Sequence, residues 1–183
     1  MTRADRGPVL NRTLTGAGAV AVATSVANIL AYFLTVVGAR LLGPAEFGAF
    51  GALLAVIIVG YVAALAVQAT TAKAVAAHRD PAPSVRAGLL LAGIAGLLTV
   101  ALSPLLRDVL QLASVVPVLA VAISVAALAV CAAPLGLFQG AERFGAFATL
   151  LTVQNVLRVG GGLVAMVVRP TAASAMIGIA AGY

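Results

Sequence analysis

Charge is scarce in this chain. Only 9% of its 183 residues are Asp, Glu, Lys or Arg, while 63% are hydrophobic; a soluble domain carries about 25% charged residues. That shortage excludes a soluble globular domain. Tryptophan is absent, and there is a single cysteine, Cys131, and a single histidine, His78. One cysteine excludes an intrachain disulfide and a cysteine-based zinc site. Cys131 lies inside an apolar run, where it reads as a small buried hydrophobe. His78 stands beside Arg79 and Asp80 in a charged connection and reads as a solvated loop residue. No Ser/His/Asp set, Cys/His constellation or phosphate-cradling glycine loop accompanies it, so no enzyme, metal or cofactor is expected. The net charge of +6 raises nucleic acid as a partner. The basic residues are spread singly between apolar runs, with no cluster and no interleaved aromatics, which excludes that partner.

What the chain does have is apolar runs of about 20 residues, the length that crosses roughly 30 Å of hydrocarbon at 1.5 Å per residue. Its main partner is the lipid bilayer. The basic start MTRADRGPVLNR precedes a run too long for a signal-peptide core and without a cleavage site, so that run is a retained span. Residues 1–13 form a basic tail, and five complete spans are expected at about 14–39, 49–72, 87–106, 115–138 and 145–168. A sixth begins near Thr171 and reaches Tyr183 after about a dozen residues, too few to cross. The expectation is an N-terminal piece of a longer protein: an all-α, polytopic transmembrane helix bundle over 14–183.

Orientation follows from the basic residues. Arg3, Arg6, Arg12, Lys73, Arg79, Arg86 and Arg143 fall on one side, and Arg40, Arg107 and Arg169 on the other. Seven against three puts the N-terminus in the cytoplasm. The stretch ARLLGPAEFGAFGALLA is then an external turn: Arg40 ends the first span and Gly43-Pro44 breaks the helix.

Within the spans, small residues at four-residue spacing offer close helix contacts: Gly88, Ala92 and Gly96 on the third, Gly60 and Ala64 on the second. Polar residues say more, because each needs a partner or water. Thr24, Asn28, Tyr32 and Thr35 fall on one face of the first span, and Thr152, Asn155 and Arg158 at steps of three on the fifth, with Gln154 one turn before Arg158. Hydrogen bonds between helices and a water-filled cavity both account for Thr and Asn. Arg158 is different. It lies near mid-span, where a charge costs at least about 2.5–3.5 kcal/mol, and no acid occurs in any complete span to offset it. An anionic substrate, or an acid elsewhere in a longer chain, would complete it. Arg158, Asn155, Asn28 and Thr24 are the candidate substrate-binding residues.

ARLLGPAEFGAFGALLAVIIVGYVAALAVQATTAKAVA resembles the first-loop and second-span signature of the Wzx-like polysaccharide-biosynthesis flippases, in the multidrug/oligosaccharidyl-lipid/polysaccharide exporter superfamily. PLGLFQGAERFGAFATLLTVQNVLRVGGG is similar to the Gln-Gly, aromatic and buried-Arg region at their fourth and fifth spans. The resemblance implies two six-helix lobes, of which this chain is the first, with a C-terminal lobe still to come. It implies alternating access that moves a polyprenyl-pyrophosphate-linked glycan across a bacterial cytoplasmic membrane. Arg158 matches the position of a span-embedded Arg in such proteins; Arg40 and Lys73 match only border positions. Three alternatives stay open. A cation-coupled drug exporter of the same superfamily is expected to carry a buried acid here. A lipid II flippase is expected to carry several basic residues in its first spans, and this first span has none after Arg12. The third is a non-transporting membrane scaffold.

Overall fold

The structure, a computed structural model, describes residues 6–183, with side-chain environments described for Gly16 and for 18–183. Residues 1–5 of the expected tail, Arg3 among them, lie outside the described residues, as do the side chains of Arg6 and Arg12. From Arg6 the backbone is already helical. The elements are α1 (Arg6–Leu41), α2 (Pro44–Ala76), α3 (Ala82–Ala101), α4 (Ser103–Val109), α5 (Val116–Gly140), α6 (Phe144–Val168) and α7 (Ala172–Ala181). Five of them, α1, α2, α3, α5 and α6, are long and apolar enough to cross a membrane. The fold is a polytopic helical bundle.

The breaks follow from local chemistry. Gly43 is extended at φ −66°, ψ 164°, the region that the following Pro44 imposes, and Pro44 opens α2 where its missing N–H costs nothing. Pro104 acts likewise at the start of α4, so the apolar run expected at 87–106 is divided between α3 and α4. Three helices close on a left-handed non-glycine residue: His78 after α2, Gln111 after α4 and Glu142 after α5. In each case the next amide reaches back five residues, from Arg79 to Ala74, Leu112 to Arg107 and Arg143 to Phe138. No described glycine has a positive φ. The glycines are used for packing instead.

That packing is largely non-local. α2 shares its main contact with α5 and α1 with α6. Both pairs run parallel: Gly16 meets Phe144, Gly38 meets Met166, Gly60 meets Val125, and Gly140 meets the Ala72 carbonyl. A Cβ at Gly136 would lie 2.5 Å from the Gln68 carbonyl oxygen, so only glycine lets α2 and α5 approach this closely. Gly88 packs on Val67 and Gly96 on Ala126, which gives the expected small-residue row of α3 its partners on α2 and α5. α7 forms a hairpin with α6 through Gly161 and Gly178 and also touches α5 and α2. Its first turn is held by a capping box between Thr171 and Ser174, and by Glu46, whose carboxylate accepts from the Ala172 amide at 2.6 Å.

The dry core sits toward the α1–α2 turn, where Phe50, Leu53, Val118, Val121, Met166, Met176 and Ile179 are fully buried. Large apolar side chains cover the outside, among them Leu90, Leu97 and Ile94 of α3 and Val167 and Val168 of α6. In water such a surface would be untenable; toward lipid tails it is the expected finish. Cys131 is half-buried on α5 rather than enclosed.

Candidate functional site

In the other half of the bundle α1, α2, α5 and α6 separate around a cavity of about 480 Å³. Its wall includes Thr24 and Asn28 from α1, Tyr61 and Gln68 from α2, Gln139 from α5, Gln154, Asn155 and Arg158 from α6, and Tyr183 beyond α7. All four candidate substrate-binding residues therefore face one space. The remainder of the lining is aliphatic, apart from Phe147.

Among the described residues, Arg158 is the only charged one in this wall. It lies 14 residues into α6, about 21 Å along the helix axis at 1.5 Å per residue, and it is half-buried. Its Nη2 donates to Asn155 Oδ1 at 2.9 Å and its Nη1 to the Tyr183 hydroxyl at 3.0 Å. The Tyr183 ring also stands 5.8 Å from the guanidinium carbon, within cation–π range. Asn155 is itself fixed, because its Nδ2 donates to the Leu151 carbonyl at 2.8 Å. The guanidinium is thus aimed by two side chains and neutralised by neither. Among the described residues two of its five N–H donors are used, and a planar fork with donors to spare fits a phosphate or carboxylate.

Gly182 explains how the chain reaches Tyr183. A Cβ there would come within 2.5 Å of the Arg158 Cα, so the backbone after α7 can lie directly on α6 only as glycine. On α1, the Thr24 hydroxyl donates to the Val20 carbonyl at 2.9 Å, which leaves its oxygen free to accept. Asn28 stands one turn further along the same wall.

The two expected polar faces are not brought together whole. Tyr32 is 72% exposed and does not line the cavity; at 100° per residue it lies about 80° round the helix from Thr24. Thr35 bonds back to the Ala31 carbonyl, beyond the cavity's end. Thr152 faces a separate groove between α1 and α6, with Thr149 and Val22. The cavity also takes in Tyr61, Gln68 and Tyr183, which sequence reasoning does not single out, and Gln139, which enters there only as the Gln-Gly of the family resemblance. Tyr61 and Gln68 are legible as a pair, since seven residues place them on one helix face.

A larger cleft of about 1300 Å³ opens beside α6 and α7 at the α1–α2 turn end. Its wall is mostly small and aliphatic, including Gly160, Val164, Ala165 and Ile177, with Glu46 and Arg169 among its lining. Such a surface suits lipid or another apolar helix and offers little to hold a polar ligand. The chemistry is at Arg158.

No curated protein and no solved structure matches the chain. A family model described as "Polysaccharide biosynthesis protein" matches residues 13–183; the match takes in every residue of the cavity, and the chain belongs to that family.

Proposed function

We propose that this chain forms the first lobe of a flippase that carries a polyprenyl-pyrophosphate-linked oligosaccharide across the bacterial cytoplasmic membrane, with Arg158 as the counter-charge for the pyrophosphate. The family is one of flippases and transporters in general, and five apolar helices call for a lipid bilayer. The observation that carries the finer reading is Arg158: a cation deep in a bundle, held by two neutral partners and turned into a polar cavity. A group kept in low dielectric at that cost gains most from an anion that arrives with the substrate.

Asn155 and Tyr183 orient the guanidinium, and Asn28 and Thr24 supply uncharged donors and acceptors on the facing helix. Alternating access requires a second lobe across the cavity mouth, and the proposed orientation, with the N-terminus in the cytoplasm, rests on the bias of Lys and Arg between the two sides. A cation-coupled exporter needs an acid to bind its ion, and among the described residues the cavity wall carries no Asp or Glu.

The test is complementation by the complete protein in a strain that lacks its own flippase, reading surface glycan and the lipid-linked precursor held inside. Wild type restores surface glycan, Arg158→Lys restores part of it, and Arg158→Gln leaves the precursor trapped. Full activity in both variants contradicts the reading.

A further inference from the structure

The cavity has a second polar end. α2 contributes to its wall from Ile57 to Gln68 and α6 from Phe147 to Arg158, eleven residues each, or about 16 Å at 1.5 Å per residue. The two helices run in opposite directions, so Gln68 lies level with Phe147 while Arg158 lies level with Ile57. Gln139, one residue before the end of α5, joins Gln68 at that far end: Gln68 Nε2 donates to Gln139 Oε1 at 2.8 Å.

Two amides hold four N–H donors and four acceptor lone pairs, and this bond uses one of each. Among the described residues neither amide makes another hydrogen bond. Gln139 is exposed and Gln68 half-buried, both toward the cavity. Fastening α2 to α5 does not account for the pair, because Gly136 and Gly140 already set those helices in backbone contact beside it. Tyr61, two turns from Gln68 on the same face, presents its half-open ring to the space between the amides and Arg158.

The unused groups are neutral, and they both donate and accept. A phosphate would need donors only, a metal cation acceptors only, and an apolar tail would leave every one of them unpaired. Sugar hydroxyls, each a donor and an acceptor at once, match the set. We propose that Gln68 and Gln139 form a carbohydrate subsite about 16 Å from Arg158, holding the neutral, hydroxyl-rich part of a ligand whose anionic group rests on Arg158. This inference rests on the flippase reading and adds where in the cavity the glycan is recognised. It also sets the orientation of the ligand: sugar toward the α5–α6 turn, anion toward the bundle centre.

The experiment uses the complete protein in lipid nanodiscs and native mass spectrometry with two probes: undecaprenyl diphosphate, and the lipid-linked glycan fraction extracted from the cells that make the protein. Wild type retains the glycosylated lipid in preference to the bare one. The double variant Gln68→Leu/Gln139→Leu holds bare lipid as wild type does and loses the preference by about tenfold, the loss expected for a few hydrogen bonds to neutral groups. Gln139→Ala alone, at an exposed position near the helix end, moves the preference in the same direction and guards against misfolding of the double variant. Arg158→Gln weakens both lipids alike. Undiminished preference in the glutamine variants overturns the subsite and leaves the flippase reading intact. Wild type that retains neither lipid overturns the flippase reading itself.

Discussion

The two halves of the bundle are built from the same helices and finished in opposite ways. Toward the α1–α2 turn, Phe50 and Leu53 of α2, Val118 and Val121 of α5, and Met166 of α6 close on Met176 and Ile179 of α7, all fully buried. In the half toward the α5–α6 turn, α1, α2, α5 and α6 carry Asn28, Gln68, Gln139 and Arg158 at facing positions and enclose a cavity instead. Hydropathy does not separate these halves, since each helix is apolar along most of its length. The difference lies in a few facing residues. Apolar side chains and close glycines let helices meet; amides and a guanidinium keep a space open, because they need partners the helices do not supply.

The sharpest way to break this contrast is to damage the sealed half. Phe50→Ala opens a void where Phe50 packs against Gly38 and Phe47, and is expected to cost about 3 kcal/mol of stability, read as a lowered thermal midpoint in detergent. The cavity half should respond the other way. Arg158→Gln is expected to leave that midpoint unchanged or raised, since it removes an incompletely compensated charge, while transport falls about thirtyfold or more. A mutation that lowers both equally would show that Arg158 is structural.

Glycines sharpen the comparison at finer scale. Gly136→Ala forces α2 from α5 and is expected to cost about 1–3 kcal/mol, whereas Gly93→Ala meets nothing within 4 Å and should stay within about 0.5 kcal/mol of wild type. Equal effects in thermal melts would contradict the close α2–α5 contact. The smallest effect belongs to Glu46→Gln, which weakens the carboxylate bond to the Ala172 amide. It should lower stability by under about 1 kcal/mol, with faster hydrogen exchange confined to the first turn of α7.

Much of this molecule is legible in its sequence. Length and apolarity mark five helices because hydrocarbon thickness sets span length directly, and Asn155 and Arg158 stand out because a three-residue step puts them on one face of a span that should hold no charge. The helix partners are not legible. α1 lies against α6, more than a hundred residues on, and nothing in a one-dimensional pattern of Ala, Val and Leu records that pairing. Gly136 and Gly140 are hidden among 19 glycines. Gln68 stands too near a span end to draw notice, since polar residues are ordinary there, and the Gln-Gly motif that marks Gln139 says nothing of its bond to Gln68. Tyr32 and Thr35 share the spacing of Thr24 and Asn28 without sharing their space, because the cavity wall on α1 ends at Ala31 and eight residues turn Tyr32 about 80° round the helix from Thr24.

A cavity lined by amides and a guanidinium should admit water, and the close-packed half of the bundle should not. The direct test is cysteine accessibility in membranes, using the complete protein with Cys131→Ala and single cysteines introduced at Asn28, Gln154, Phe50 or Val121, probed with a membrane-impermeant, water-borne thiol reagent. Rapid labelling is expected at Asn28→Cys and Gln154→Cys, blocked when lipid-linked glycan is bound, and none at Phe50→Cys or Val121→Cys. Protection of all four positions from the reagent would contradict that expectation.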